Sequence, residues 1–492
     1  MLATFLALAS LSLANGQVPD EDWGYVDVRS GAHSFWWLYG AKSTTREEQP
    51  LILWLQGGPG GSSTGYGNFL EMGPLDTHLN PRAATWLNAP ANLLFVDNPV
   101  GAGYSYVDDL ALIPRTNAAI AADLVTLMAA FFGKFPSLQA SPFYVFSESY
   151  GGKMTATFSL ALLEAIDAGT VKANFKGYVM GDSWISGTDH VDAWCPFLRS
   201  VDLLDDAQLQ TCLVPVAECN AATAAGDWQG SINAWGKAEN VISELTDGVD
   251  FYNILVHGSA GDLLSRSPNP RLRLSEQDLA LLPPGVDPAM MQVLFTNHLS
   301  VYLGDDLDAL MNGPIREKLK VIPSNVTWGG QSGAVFSTLS LDFMRPVVAD
   351  VDAALAGGRL NVVVEEGQLD LICSGMGADL WMRNMSWSGM PSFYASQRQP
   401  RYPDAQAKQL GATSGFIKTF GKLTRYDGEW RCALGAQLTS APHFMCPYLT
   451  LTHTHCPLLN ATCTVLSAGH LVPMDNPGGA LAMARELTGL PY

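Results

Sequence analysis

Short apolar runs recur along this chain, and each stops abruptly at a turn of glycine or polar residues. Leu51–Leu55 ends in Gln56-Gly57-Gly58-Pro59-Gly60-Gly61, and Leu93–Val96 in Asp97-Asn98-Pro99. Phe143–Phe146 ends in Ser147-Glu148-Ser149, and further runs cover Tyr178–Met180 and Asn361–Val364. Between them lie stretches with helical apolar spacing, about 117–132 and 154–168, the second closed by Gly169. Runs this short and this apolar suit strands covered on both faces, and their alternation with helices predicts a mostly parallel central sheet with helices on both sides. The rhythm fails over roughly 184–330, which is rich in tryptophan, proline and helical spacing but poor in strands. We read that stretch as a mainly helical cap inserted into an α/β core. The expected organisation is a signal peptide (1–16), a first core part (17–183), the cap (184–330) and a second core part (331–492). Within the last, 428–462 is an atypical Cys/His-rich insertion.

At 492 residues and 47% apolar composition the chain has ample material for one large core. A formal charge of −19 argues against nucleic acid as partner, because a backbone binder needs a basic face. Met1 to Ala14 is an uncharged apolar run with small residues after it, a signal-peptide pattern too short to span a bilayer. No later stretch reads as a membrane span, so the expected location is the secretory pathway, with a secreted or lysosomal/vacuolar product. Sequons at Asn325, Asn384 and Asn460 agree with that route. Of the eight cysteines, Cys212 and Cys219 are close enough in sequence to close a small loop. Cys432, Cys446, Cys456 and Cys463 crowd a stretch that also holds His443, His453 and His455. Local disulfides suit an oxidising compartment better than a zinc site, whose ligand spacing is not met.

Ser149 stands between an apolar run and a helical stretch, the setting of the G-x-S-x-G nucleophile elbow, although Ser147 replaces the first glycine. Asp370 and His470 follow later strand-like runs, His470 after the run Thr464–Leu466. The order serine, acid, histidine is that of the α/β-hydrolases. A hydroxyl is a poor nucleophile until an imidazole accepts its proton, and a buried carboxylate orients that imidazole. The loop 57–61 lacks the Lys-Ser/Thr of a phosphate cradle, but its backbone N–H groups suit an oxyanion hole together with that of Tyr150. Each such donor is worth on the order of 3 kcal/mol of barrier.

Taken together, Trp54 to Ser63, Asp97 to Tyr106, Ser147-Glu148-Ser149-Tyr150-Gly151-Gly152, Gly367-Gln368-Leu369-Asp370 and Ala468-Gly469-His470-Leu471-Val472-Pro473 resemble the serine carboxypeptidase family. The resemblance runs over nearly the whole chain from about Trp23. It implies an α/β-hydrolase fold, a triad of Ser149, Asp370 and His470, and an oxyanion hole from the N–H groups of Gly58 and Tyr150. It also implies that Trp54, Gln56, Gly57, Glu148 and Glu71 receive the terminal carboxylate of a substrate. The family's usual amide there is asparagine, and Gln56 reaches further. Gly61 replaces a cysteine found in many members, and Cys373 matches a free cysteine of some relatives. The substrate class implied is peptide or protein C-termini, cleaved through an acyl-enzyme, without cofactor or metal; a homodimer stays open. Two carboxylates side by side need a shared proton, so hydrolysis should peak at about pH 4–6. The alternative role for Glu148 is an acid favoured by the helix dipole. An acyltransferase or esterase on the same scaffold, and a binding protein that keeps the site, are the competing functions.

Overall fold

The computed structural model describes residues 18–258, 273–299, 305–402, 408–409, 411, 413–428, 431–434, 463–466, 468–475 and 477–489. The expected signal segment, Asn460 and most of the Cys/His-rich stretch lie outside the described residues.

The strands are β1 Glu21–Arg29, β2 Ala32–Tyr39, β3 Leu51–Leu55, β4 Asn92–Val96, β5 Tyr106–Val107, β6 Pro142–Glu148, β7 Asn174–Gly181, β8 Asn361–Glu366, β9 Gln399–Arg401, β10 Gly415–Phe420, β11 Leu423–Gly428, β12 Arg431–Leu434 and β13 Cys463–Leu466. The first eleven form one sheet in the order β1-β2-β4-β3-β6-β7-β8-β11-β10-β9, with β5 beside β2. Its centre, β4-β3-β6-β7-β8-β11, is parallel, and the strands on either side of that centre pair antiparallel. The main helices are α1 Asn117–Lys134, α2 Tyr150–Asp167, α3 Gly187–Ser200, α4 Asp206–Ala224, α5 Trp228–Thr246, α6 Pro288–Leu299, α7 Val348–Gly357 and α8 Pro477–Thr488.

Successive residues of a strand face opposite sides of the sheet. Leu53, Leu55, Val145, Met180 and Val364 accordingly enter one buried cluster, with Leu124, Met128 and Phe131 of α1 and Met154 and Phe158 of α2. Ile52, Trp54, Phe146, Val179 and Val363 enter the other, with Met483 of α8. This is the expected α/β architecture. Helix α1 alone among the described residues is long and apolar enough to cross a membrane, contrary to the expectation that no such stretch exists. Half of it is buried inside the molecule, as in the core helix of a globular domain.

One expectation needs correction. Cys212 pairs with Cys195, joining α3 to α4, while Cys219 is a buried free thiol 3.6 Å from the carbonyl oxygen of Ser231. Cys212 and Cys219 lie seven residues apart on α4, about 10 Å along its axis, which is beyond disulfide reach. The strand before His470 exists, but β13 pairs with β12 in a separate two-stranded sheet and not with the central one.

Register places the site. Leu55 pairs with Ser147, Glu148 with Gly181, and Gly181 with Glu365. The loops that follow β3, β6, β7 and β8 therefore leave the sheet in a row at its carboxyl edge, where open α/β sheets bind ligands.

Candidate active site

Ser149 is the single residue between β6 and α2, held at φ 59° and ψ −129°. Such a conformation is costly for a residue with a side chain and persists only where its surroundings enforce it. Here they do: the Ser149 N–H donates to the Gly181 carbonyl (3.0 Å), and its own carbonyl accepts from Gly152 and Trp184 (both 3.0 Å). The elbow also needs small neighbours. A Cβ on Gly151 would lie 2.3 Å from the Leu55 carbonyl oxygen, and one on Gly152 2.0 Å from Ser183 Oγ. Ser147, in place of the first glycine of the elbow pattern, is accommodated because its hydroxyl donates to the Val179 carbonyl at 2.8 Å.

His470 Nδ1 lies 2.9 Å from Asp370 Oδ2, which also accepts the Cys373 N–H at 3.2 Å. Both side chains are buried, and His470 Nε2 has no hydrogen-bond partner among the described residues. The loops that carry Asp370 and His470 are tied to each other through Leu369 N–H to the Ala468 carbonyl (3.1 Å). Asp182, at the end of β7 with φ 38°, accepts the Gly367 N–H at 2.6 Å. Asp475 accepts the Gly469 N–H at 2.7 Å, and burial pushes its carboxyl up to about 6. Neither Asp182 nor Asp475 was assigned a role from the sequence, since each acts through a backbone amide.

The glycine loop lies against Ser149. A Cβ on Gly57 would sit 2.5 Å from Ser149 Cβ and 3.0 Å from its Oγ. Gly58, at φ +109°, is followed by a cis bond to Pro59. Neither the Gly58 nor the Tyr150 N–H enters a backbone hydrogen bond outside regular elements among the described residues. The segment 328–332 straps this loop: Ser62 N–H donates to the Gly330 carbonyl (2.9 Å), Ser332 N–H to that of Gly60 (3.0 Å), and Gln331 Nε2 to that of Pro59 (2.6 Å). The position without the family's cysteine, Gly61, bridges Gln331 in an antiparallel pair. Tyr150 is anchored below by its hydroxyl, which donates to Asp342 Oδ2 at 2.7 Å, with the buried Lys153 ammonium 3.2 Å from the same oxygen.

Beside Ser149 the Gln56 amide donates to both Glu71 Oε1 (3.1 Å) and Glu148 Oε1 (3.0 Å). Trp54 Nε1 donates to Gln56 Oε1 at 2.8 Å. Trp54 therefore orients the amide through its ring nitrogen. The extra reach of glutamine is used to span two carboxyl groups at once. Burial pushes Glu71 up to about 7, against the lowering effect of hydrogen bonds with Gln56 and Glu148. Two buried carboxyl groups held by one amide retain a proton between them most easily below neutrality. Behind the row, burial raises Glu365 to about 8 and Asp182 and Glu366 well above the ordinary carboxyl range. These groups and Asp370 crowd together, and like charges add to the shift of Asp182 and Glu366. Asp370, Cys373 and His470 also bring three ligand-type atoms within 4.8 Å. One oxygen and one nitrogen of that set are already bonded to each other, the arrangement of an oriented imidazole.

A strained serine at a strand-to-helix turn, with acid and histidine on later loops, is the layout of the α/β-hydrolases. The serine carboxypeptidase family model matches residues 15–427, and the chain belongs to that family, hydrolases of the peptidase class. Human retinoid-inducible serine carboxypeptidase is 41% identical over 470 residues, covering 95% of this chain and 91% of the relative. Serine carboxypeptidase-like 51 of Arabidopsis thaliana is 37% identical over 490 residues, covering 96% and 92%. Among solved structures, a prohormone-processing carboxypeptidase of Saccharomyces cerevisiae superposes with a TM-score of 0.69 at 17% identity, covering 95% of this chain and 91% of that one, a likeness of fold. The family match stops before His470, so the 2.9 Å bond to Asp370 is what brings that histidine into the site.

Proposed function

We propose that the chain removes C-terminal residues from peptides or proteins through an acyl-enzyme on Ser149. The observation that carries this reading is the Gln56 amide joined to Glu71 and Glu148, with Glu148 adjacent in sequence to a serine in elbow geometry. Ser149 Oγ attacks the scissile carbonyl while His470 Nε2 takes its proton, and Asp370 holds the Nδ1–H. The N–H groups of Gly58 and Tyr150 receive the developing oxyanion. His470 then returns the proton to the leaving amine, and water repeats the sequence to release the acyl group. The leaving residue's carboxylate sits against Glu148 and shares a proton with the glutamate pair, which sets an acidic working range. The largely helical stretch between β7 and β8 acts as the cap over this edge. Secretion or a lysosomal/vacuolar address is supported by the apolar N-terminal run and by the exposed sequon residues Asn325 and Asn384.

The test is hydrolysis of an N-blocked dipeptide with a free C-terminus, compared with its C-terminal amide. A strong preference for the free acid, lost in Ser149→Ala, is expected. Equal cleavage of both, or transfer of the acyl group to an added alcohol in preference to water, would replace the carboxypeptidase reading by an esterase or acyltransferase one.

A further inference from the structure

The base has a support outside the triad. The segment 249–257 forms a tight loop within the insertion, closed by the Val249–His257 bridge and by N–H groups of Tyr252 and Asn253 donating to Asp250 Oδ1 (2.8 and 2.9 Å). This loop grips both reactive loops. The Phe251 carbonyl accepts from Leu371 (3.0 Å) and Ile372 (2.8 Å), just after the acid, and the Tyr252 carbonyl accepts the His470 N–H at 2.8 Å. The Tyr252 ring meets the His470 ring edge to face, with centroids 4.6 Å apart and planes at 87°. Backbone and side chain of one residue thus fix the height and tilt of the imidazole.

Tyr252 is held in turn by a second histidine and a second acid. Its Oη lies 2.8 Å from Nδ1 of His298 on α6, whose Nε2 lies 3.4 Å from Oε1 of Glu239 on α5. Glu239 is fully buried and fixed by Trp235 Nε1 on Oε1 (2.7 Å) and Asn297 Nδ2 on Oε2 (2.6 Å). With the Glu239 carboxylate accepting from Nε2–H, Nδ1 is the ring's acceptor and the phenol its donor, so one tautomer and one phenol rotamer satisfy every contact. Two helices of the insertion thereby converge, through one hydroxyl, on the residue that packs against His470.

We infer that Tyr252 is a positioning residue for His470, and that Glu239 and His298 hold it in place from the insertion; this rests on His470 acting as the base for Ser149. Misplacing a reacting group by about 1 Å costs on the order of a hundredfold, and loosening a support costs less. Tyr252→Phe keeps the ring and the backbone carbonyl and removes the phenol oxygen. It should lower kcat on the blocked dipeptide roughly tenfold with KM within about twofold of wild type. His298→Ala should do the same, and Tyr252→Phe/His298→Ala should be no slower than either single variant, because both cut one chain. His298→Asn, whose side-chain oxygen can accept from the phenol, should recover part of the rate. An unchanged kcat in Tyr252→Phe, equal falls in kcat and rises in KM, or losses that multiply in the double variant would overturn the inference. Should His298→Ala not fold, Tyr252→Phe decides alone. Organophosphate labelling of Ser149 separates the two readings. Labelling of His470→Ala as fast as wild type removes the base itself. Slow labelling of His470→Ala beside a wild-type rate in Tyr252→Phe removes only the positioning role.

Discussion

Asp370 and His470 are one hundred residues apart in sequence, and a 2.9 Å bond makes them one chemical unit. If Asp370 serves to hold the imidazole tautomer, Asp370→Asn should retain the fold and lower kcat by about 10⁴, read from steady-state hydrolysis and circular dichroism. A loss under tenfold would mean that the acid does not set the tautomer. Glu71 offers a finer test. Its carboxyl, raised by burial to about 7, is protonated across the acidic range and ionises near neutrality. If the leaving residue's carboxylate sits against this pair, ionisation of Glu71 adds a like charge beside it, so KM should climb as pH rises past 7. Glu71→Gln keeps an acceptor for the Gln56 amide but cannot ionise, so the climb should flatten or move to higher pH. An identical KM profile in that variant would exclude Glu71 as the titrating group. At this scale the sequence was most legible where a residue follows a strand. Ser149, Asp370 and the Gly57–Gly61 loop do so, and the order of the reactive residues together with the resemblance of their motifs singled them out. Tyr252 and Gln331 were not legible because their contacts are with backbone groups remote in the chain, and Asp475 because its contact is with a single backbone amide.

The elements explain why the site tolerates so little change in its glycines. The β3 loop passes so close to the elbow that a Cβ on Gly57 would stand 2.5 Å from Ser149 Cβ and 2.8 Å from the Glu148 carbonyl oxygen. Neither the loop, strapped by 330–332, nor the elbow, fixed by Gly181 and Trp184, is free to withdraw. Gly57→Ala should therefore leave a folded enzyme with kcat roughly a hundredfold down. Gly133→Ala near the end of α1, where a Cβ would meet nothing within 4 Å, should leave kcat unchanged and stabilise by up to about 1 kcal/mol. Equal kinetics for the two variants would show that the loop moves aside. The central strands were legible because both faces are covered, which writes them as unbroken apolar runs. The flanking strands were not. In β1 only Val28 is buried, and in β10 only Gly415, so their half-exposed residues hide the pairing. The run before His470 was read as a strand, but its antiparallel partner β12 is a four-residue segment that no periodicity announces.

For the molecule as a whole, buried carboxyl groups set the pH at which the fold is most stable. Glu365 is raised to about 8, Glu71 to about 7 and Asp475 to about 6, each by burial. A carboxyl whose folded pKa exceeds its unfolded one binds its proton more tightly in the native state. Its contribution is complete below the unfolded value, near 4, and is lost as pH rises through the folded value, at up to about 1.4 kcal/mol per pH unit per group. His190 works the other way. Burial lowers it to about 3, so its contribution is complete above the ordinary histidine value and fades as pH falls. Between pH 8 and about 4 the three acids outweigh the single histidine, and a chain of formal charge −19 also sheds self-repulsion as its exposed carboxylates protonate. The urea midpoint should thus rise from pH 8 to a maximum near pH 4 and fall again below it. Glu365→Gln, which cannot ionise, should flatten the slope between pH 5 and 8 while leaving the acid side unchanged. A midpoint that stays level or increases toward pH 8 would mean that these carboxyls are hydrated in the folded protein, and the stability argument for an acidic compartment would go with them.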